Sequence, residues 1–449
     1  MPNLGARLAL GIILCGVLYL LTSSAPWAGP SRPVYNLKFG DFENATKPED
    51  NWCRPEECAA GQWRPREPPF TSIDDFRAAY ANRLDRLWKG CSAIPDPTGK
   101  RPSDSQSKVD EERLMQVMNW TWTPYTGELR RWDPEDFMVR LLKSPGGLIL
   151  IGDSITQQHN HALGYLLNQA GLDFDRNPSH LPMYDHKNVR QVLLKPKDPL
   201  TRKVVERAGV PESRLERPVV TMLEDHMLIG QRDIRAITER LGASKTYYWY
   251  HDFQRVPGWE AYVANAAQPR PGEEVSVTED TILLMNAGAH WSRHELAMLP
   301  ARPTDREEQA GVKETYKQMM KLIIGRLSPI NRLTVFYRST APGHPVCEKS
   351  ANPYADLHAA REAEKHIVHR LTENTDAQLT KNRKRWDWDL FEVHNEMWRK
   401  AVSGLMRDRE WRQSTASRAL GAKWFYLDLW DVNLQRPDAH SEPGVDCLH

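Results

Sequence analysis

Leu148-Ile149-Leu150-Ile151-Gly152-Asp153-Ser154-Ile155 is an apolar run that ends in Gly-Asp-Ser and opens directly into a helical pattern. The apolar residues suit a parallel strand buried on both faces. Gly152 permits a tight turn, and Ala162, Leu163, Leu166, Leu167 and Ala170 then recur on one helical face between Thr156 and Ala170. A serine at such a turn has its hydroxyl held at the carboxyl end of the strand. It sits beside helix N–H groups that can stabilise an oxyanion. Ser154 is therefore the candidate nucleophile; the other reading of the same residues is an N-cap serine on an ordinary strand-to-helix turn.

The far end of the chain reads Asp446-Cys447-Leu448-His449. An aspartate and a histidine three apart can share one side of a turn, so the carboxylate can orient an imidazole that takes the serine proton. The alternative is a fraying terminus. Other histidines compete for the role of base. His159 and His161 lie too far along the helix after Ser154 to reach back to it. His440, beside Asp438, is the main rival, and His290 and His344 suit the lining of a cleft.

Gly152-Asp153-Ser154 and Asp446-Cys447-Leu448-His449 together resemble the PC-esterase, or trichome-birefringence-like, group of the SGNH/GDSL hydrolase superfamily. Further stretches carry the likeness: Asn119-Trp120-Thr121-Trp122-Thr123-Pro124, Asn286-Ala287-Gly288-Ala289-His290-Trp291, Phe336-Tyr337-Arg338-Ser339-Thr340-Ala341-Pro342-Gly343-His344, and Arg436-Pro437-Asp438-Ala439-His440. The likeness runs from about Cys53 to His449. It implies a three-layer, flavodoxin-like parallel sheet of the SGNH type. It also implies a triad of Ser154, Asp446 and His449, with the Ser154 N–H and Asn286 as oxyanion donors. Asp153, His290, Trp291, Arg338, His344, Asp438 and His440 become candidates for substrate binding. In the family a Trp-Cys-Leu-Pro stretch follows the histidine, whereas this sequence stops at His449, so a continuation is expected.

The 449 residues, 40% hydrophobic, suffice for one large domain with an accessory region. A net charge of +1 argues against nucleic acid as partner. The 16 tryptophans offer flat faces that suit sugar rings as well as cores. Arg7 followed by the apolar run Leu8 to Leu21 reads as a signal peptide or a type II membrane anchor within 1–28, and the family likeness favours the anchor. A stem follows over 29–51, then a Cys- and Trp-rich region over 52–145 and the catalytic domain over 146–449. Either N-terminal reading puts the chain in an oxidising lumen, most naturally that of the Golgi, or outside the cell. Sequons at Asn44 and Asn119 fit that setting. The cysteines Cys53, Cys58, Cys91, Cys347 and Cys447 are disulfide candidates, with no metal site expected because histidine partners at finger spacing are missing.

Within 146–449, strands are expected at Leu148–Gly152, Val219–Leu223, Thr246–Tyr250, Thr281–Met285, Leu333–Arg338 and Lys423–Leu429. Helices are expected at Ile155–Ala170, Gly230–Leu241, Gly311–Leu327 and Phe391–Met406. In the preceding region Asp133 should cap a helix that has Pro134 at its first position. This alternation predicts an α/β fold with a parallel sheet between helices. Arg176–Arg217 and Arg293–Arg306 read as long loops over the active face. Lys381-Asn382-Arg383-Lys384-Arg385 with Trp386 and Trp388 reads as a solvated basic patch beside a packed tryptophan, or as a site for an acidic glycan.

The expected activity is O-acetyl transfer to a polysaccharide or glycan hydroxyl through an acetyl-serine. The alternatives are a carbohydrate O-acetylesterase using the same residues, and a non-catalytic glycan-binding or assembly protein. No bound cofactor is expected, only an acetyl donor as co-substrate, such as acetyl-CoA or another acetylated carrier. The expected partners are the glycan, the membrane through the N-terminal anchor, and an acetyl-donor transporter.

Overall fold

The computed structural model describes residues 51–75, 112–249, 254–345, 347, 350–373, 383, 385–414, 421–440 and 447–448. The expected N-terminal anchor and stem, Asn44, Cys91, Asp446 and His449 lie outside the described residues. Among those described, no helix is long and apolar enough to cross a membrane.

A short helix α1 (Pro55–Ala59) leads into β1 (Gly61–Pro65), which pairs antiparallel with β2 (Trp120–Pro124). Helix α2 (Pro134–Leu142) then starts as expected, the Asp133 side chain accepting from Asp136 N with Pro134 at the first turn. The main sheet follows: β3 (Leu148–Gly152), β4 (Phe174–Arg176), β5 (Val189–Leu194), β6 (Val220–Glu224), β7 (Thr281–Met285), β8 (Leu333–Arg338) and β9 (Lys423–Leu427). The helices around it are α3 (Ser154–Gln169), α4 (Pro199–Ala208), α5 (Gln231–Glu239), α6 (Trp259–Ala266), α7 (Asp305–Leu327), α8 (Leu357–Glu373), α9 (Phe391–Ser414) and α10 (Trp430–Leu434).

The seven strands lie in the order β4-β5-β6-β3-β7-β8-β9. From β6 to β9 all pairs are parallel, while β4 and β5 run antiparallel at one edge. Counted along the chain, the five parallel strands stand in the order 2-1-3-4-5, the flavodoxin-like arrangement. Strand β3 is buried throughout, and its period of two assigns successive side chains to different cores. Ile149 and Ile151 join Ile234, Trp259, Met319 and Trp398 on one face. Leu148 and Leu150 join Met138, Leu163, Leu167 and Val204 on the other. Two cores separated by one sheet make a layered α/β fold with helices on both faces.

Several sequence expectations are corrected here. Thr246–Trp249 is not a strand, and Tyr250 lies outside the described residues. Trp249 joins the core with Tyr247 packed against it, while Tyr248 is exposed. Arg235 lies over the Trp249 ring at 4.6 Å and donates to the carbonyls of Lys245 and Tyr247 that a strand partner would have used. The stretch Arg176–Arg217 is not a loop but contains β5 and α4. The latter carries an Asp198 cap, Pro199 at its start and a left-handed Gly209 at its end. Helix α7 begins six residues earlier than Gly311, at Asp305, behind a Thr304–Glu307 capping box.

The β1–β2 pair is not detached from the sheet domain. Trp63, Trp122 and Val432 form a small core, and Trp63 Nε1 donates to Val432 O at 2.9 Å. Arg436 donates to Val117 O at 2.7 Å and Arg113 to Asp438 O at 2.6 Å, so the early chain clasps the segment after α10. Among the described residues, two disulfides, Cys53–Cys58 and Cys347–Cys447, add to the framework. The second spans a sequence separation of 100, a loop whose closure removes roughly 4–5 kcal/mol of unfolded-state entropy. Cys347→Ser is therefore expected to lose about 2–5 kcal/mol in equilibrium denaturation under oxidising conditions; an unchanged denaturation midpoint would contradict this role.

Candidate active site

The carboxyl end of β3 turns sharply into α3. A Cβ on Gly152 would meet Thr156 Oγ1 at 2.3 Å and Asn286 O at 2.8 Å, so only glycine permits this approach. Asp153 caps α3, its Oδ1 accepting from Ile155 N at 3.1 Å. Between positions 148 and 159 Ser154 alone is not buried. The first residue of this sixteen-residue helix is thus partly exposed, next to the positive end of the helix dipole.

The neighbouring strand ends build the walls. Asn286, at the end of β7, is buried, and its Nδ2 donates to Arg338 O at 3.0 Å and Thr340 Oγ1 at 3.1 Å. Gly288 lets Thr340 come close, since a Cβ there would lie 1.9 Å from Thr340 Oγ1. Asn395 of α9 clamps the Thr340 backbone through both N (2.8 Å) and O (2.9 Å). Arg338, at the end of β8, is buried and reaches Thr156 Oγ1 at 3.4 Å. Burial lowers its pKa to about 10 against the opposing charge of Asp153. Arg338 and Asp153 therefore sit beneath the turn rather than on its open side.

At the end of β6, Asp225 is fully buried and ties the next loop down by accepting from Leu228 N (2.8 Å), Val256 N (3.0 Å) and Met227 N (3.3 Å). Burial pushes its carboxyl up to about 6 despite these bonds. Its own N–H donates to Gly152 O at 2.8 Å, fixing the nucleophile turn from that side. Glu224 accepts from Gln157 Nε2 of α3 at 2.6 Å and from Arg255 at 2.7 Å. Sequence reasoning missed Glu224, Asp225, His226 and Asn395. The first three were findable, because polar residues directly after a buried parallel strand sit where ligands bind in such sheets.

The sequence candidates divide by place. His290 lies at the mouth, on the loop after β7, and its ring is partly exposed. Trp291 is wholly buried, edge-on to Tyr316 at 5.3 Å. His159 is buried within the helix, and His161 faces Arg190 at 2.9 Å. The Asn119 amide is bound to Phe70 N at 2.7 Å and Phe70 O at 2.9 Å, so a glycan on its nitrogen would cost the second bond.

His344 and His440 lie together beneath the C-terminal segment. His344 Nε2 is 3.1 Å from Leu434 O, which can only accept. His344 Nδ1, 2.8 Å from His440 Nε2, must then accept from the latter. Asp438 is fully buried, both its oxygens taken by Arg436 at 2.9 and 3.0 Å. Asp446 and His449 lie outside the described residues, but the two residues between them are fixed. Cys447 accepts from His344 N at 2.9 Å through its carbonyl and is disulfide-bonded to Cys347. Leu448 belongs to the same apolar cluster as Ile155, the residue after Ser154. The helix that begins at Ser154 and the residue before His449 thus share one core.

A scan of protein-family models gives no match to this chain, and a search of curated proteins gives none either.

The buried histidines make a pH prediction. Burial lowers His344 to about 4, against the Leu434 carbonyl and Asp438, and lowers His394, stacked on Tyr316, to about 3. An unfolded imidazole titrates near 6.5, so below that value the unfolded chain binds more protons. Their contribution to stability is thus fully present above about 6.5 and is lost as pH falls toward 4, while the raised carboxyl of Asp225 contributes in the opposite sense. Between pH 7 and pH 5 the wild type should therefore lose stability relative to His344→Gln in paired urea titrations; an identical slope in the variant would contradict the assignment.

Proposed function

We propose that the chain is an O-acetyltransferase acting on a polysaccharide or glycan hydroxyl through an acetyl-Ser154 intermediate. The observation that carries this reading is Ser154 itself: a partly exposed serine between buried neighbours, at a helix N-terminus, over the point where the strand order reverses. The resemblance of the terminal Asp-x-x-His to a triad partner supports His449 as base and Asp446 as the carboxylate that orients it. The shared cluster of Ile155 and Leu448 agrees with that pairing.

In the first step Ser154 Oγ attacks the acetyl carbonyl of the donor while His449 takes the hydroxyl proton. The carbon–donor bond then breaks, and the imidazolium returns the proton to the leaving group. In the second step a sugar hydroxyl gives its proton to His449 and attacks the acetyl-serine, and Ser154 leaves as the alcohol with that proton. The Ser154 N–H serves the oxyanion in both steps. For Asn286 to be the second donor it must release one of its two bonds, and the Thr340 hydroxyl can turn away most readily. The two disulfides support an oxidising compartment, consistent with a Golgi-lumenal enzyme behind an N-terminal anchor. A transporter that supplies an acetylated carrier to the lumen fits the same scheme.

The test supplies the purified chain, extended past His449 if the gene continues, with acetyl-CoA or an acetylated carrier and a panel of glycans. Acetyl on glycan and free acetate are followed together. Transfer that falls by about 10³-fold or more in Ser154→Ala is expected. Release of acetate from acetylated glycan without transfer would make the chain an esterase, and absence of both activities would refute the catalytic reading.

A further inference from the structure

The loops that leave β6 and β7 flank the end of β3, and each carries a histidine to the other. His226 and His290 stack with ring centroids 3.8 Å apart and planes 19° from parallel. Because β6 and β7 are the two neighbours of β3, this stack bridges across the strand end that bears Ser154. Trp386 stands against it, its ring 5.7 Å from His290 and inclined at 72°. The result is a corner of two aromatic planes, with His226, His290 and Trp386 all partly exposed.

Polar groups edge this corner. Glu224 lies 3.7 Å from His226 Nε2 and Glu295 3.6 Å from His290 Nδ1. Arg385 lies over Trp386 at 4.9 Å. Burial holds His226 below the ordinary imidazole value, opposed by Glu224, which favours a neutral ring with both donor and acceptor capacity.

The corner is held rigidly. Ser292 donates to Arg385 O at 2.8 Å, and Arg293 binds the buried Asp387 through its backbone N at 2.6 Å and Nε at 2.9 Å. Asp387, the residue after Trp386, has φ 45°, and Leu228, two residues after His226, has φ 62°. Non-glycine residues persist in this region only where surrounding contacts over-determine them. Of the described residues of the basic run, Arg383 is buried against Asp389 and Asp305 rather than solvated, while Arg385 lies over the Trp386 ring.

We propose that His226, His290 and Trp386 form the acceptor subsite and bind one pyranose ring of a neutral oligosaccharide beside Ser154. A pyranose offers an apolar C–H face for the indole and equatorial hydroxyls for imidazole, carboxylate and guanidinium at the rim. The opposite charges of Glu224 and Glu295 against Arg255 and Arg385 favour an uncharged sugar over a polyanion. This subsite rests on the glycan-directed reading above and names the part of the crevice that holds the glycan.

Binding is measured on the full chain carrying Ser154→Ala, so that it does not depend on turnover. Xylohexaose, cellohexaose and mannohexaose are the probes, followed by calorimetry and tryptophan fluorescence. At least one should bind, and Trp386→Ala in the same background should weaken it about tenfold or more. Trp386→Phe, which keeps a flat ring, should fall between the two. His290→Gln guards against misfolding of the alanine variant and should also weaken binding, with thermal melts confirming that each variant is folded. Failure of all three hexaoses to bind, or unchanged affinity in folded Trp386→Ala and His290→Gln, overturns the proposal. So does tighter binding of hexagalacturonate than of every neutral probe. Tryptophan-dependent binding in a chain whose wild type transfers no acetyl would refute the transferase reading and leave the subsite standing.

Discussion

The crevice depends on how closely three backbone segments meet at Gly152. The residue receives Asp225 N on its carbonyl, while the neighbouring Ile151 carbonyl receives Asn286 N at 3.1 Å, so the end of β3 is stitched to both adjacent strands. A side chain at Gly152 would collide with Thr156 and with the Asn286 carbonyl. With that atom missing, α3 can start immediately and turn Ser154 outward. The same device recurs on either side: Gly288 admits Thr340, and Gly343 admits Trp388, whose Nε1 would lie 2.6 Å from a Cβ. Three glycines thus compress the carboxyl edge of the sheet into a single wall.

The strongest signals in the sequence were those produced by burial on both faces of a strand. Leu148–Gly152, Thr281–Met285 and Leu333–Arg338 are found with the boundaries their apolar runs suggest. Alternation within 146–449 was enough to specify a parallel sheet between helices. What escaped was structure held by tertiary contact. Strand β5, next to the edge strand β4, alternates buried and half-buried residues over most of its length, a pattern without a continuous apolar run. The aromatic run at Thr246–Trp249 has β-propensity but no partner, and Arg235 takes its carbonyls instead.

For the site, Gly152, Ser154 and Asn286 were legible because each sits where a strand ends. The other candidates came from motifs of the family likeness, which do not carry burial. Asp438, Arg338 and Trp291 are interior groups that tie segments together. The Arg436–Asp438 pair, with one partner 1% exposed and the other 0%, holds the chain after α10 against Val117 and beneath Trp63. Breaking such a pair leaves a buried charge and costs about 3–5 kcal/mol, so the pair fixes this segment in place. The place of His226 just after a strand was readable, but its stack with a residue 64 positions away is a tertiary contact that no local pattern reveals.

With Asp153 as the cap of α3, the catalytic reading turns on Ser154 being an activated nucleophile rather than an unreactive first residue of the helix. The most direct measurement is labelling of the full chain with a fluorophosphonate, followed by peptide mapping. The prediction is one phosphonyl adduct, carried by Ser154 and missing in Ser154→Ala. An unreactive folded chain, or an adduct elsewhere that persists in the variant, would contradict the claim.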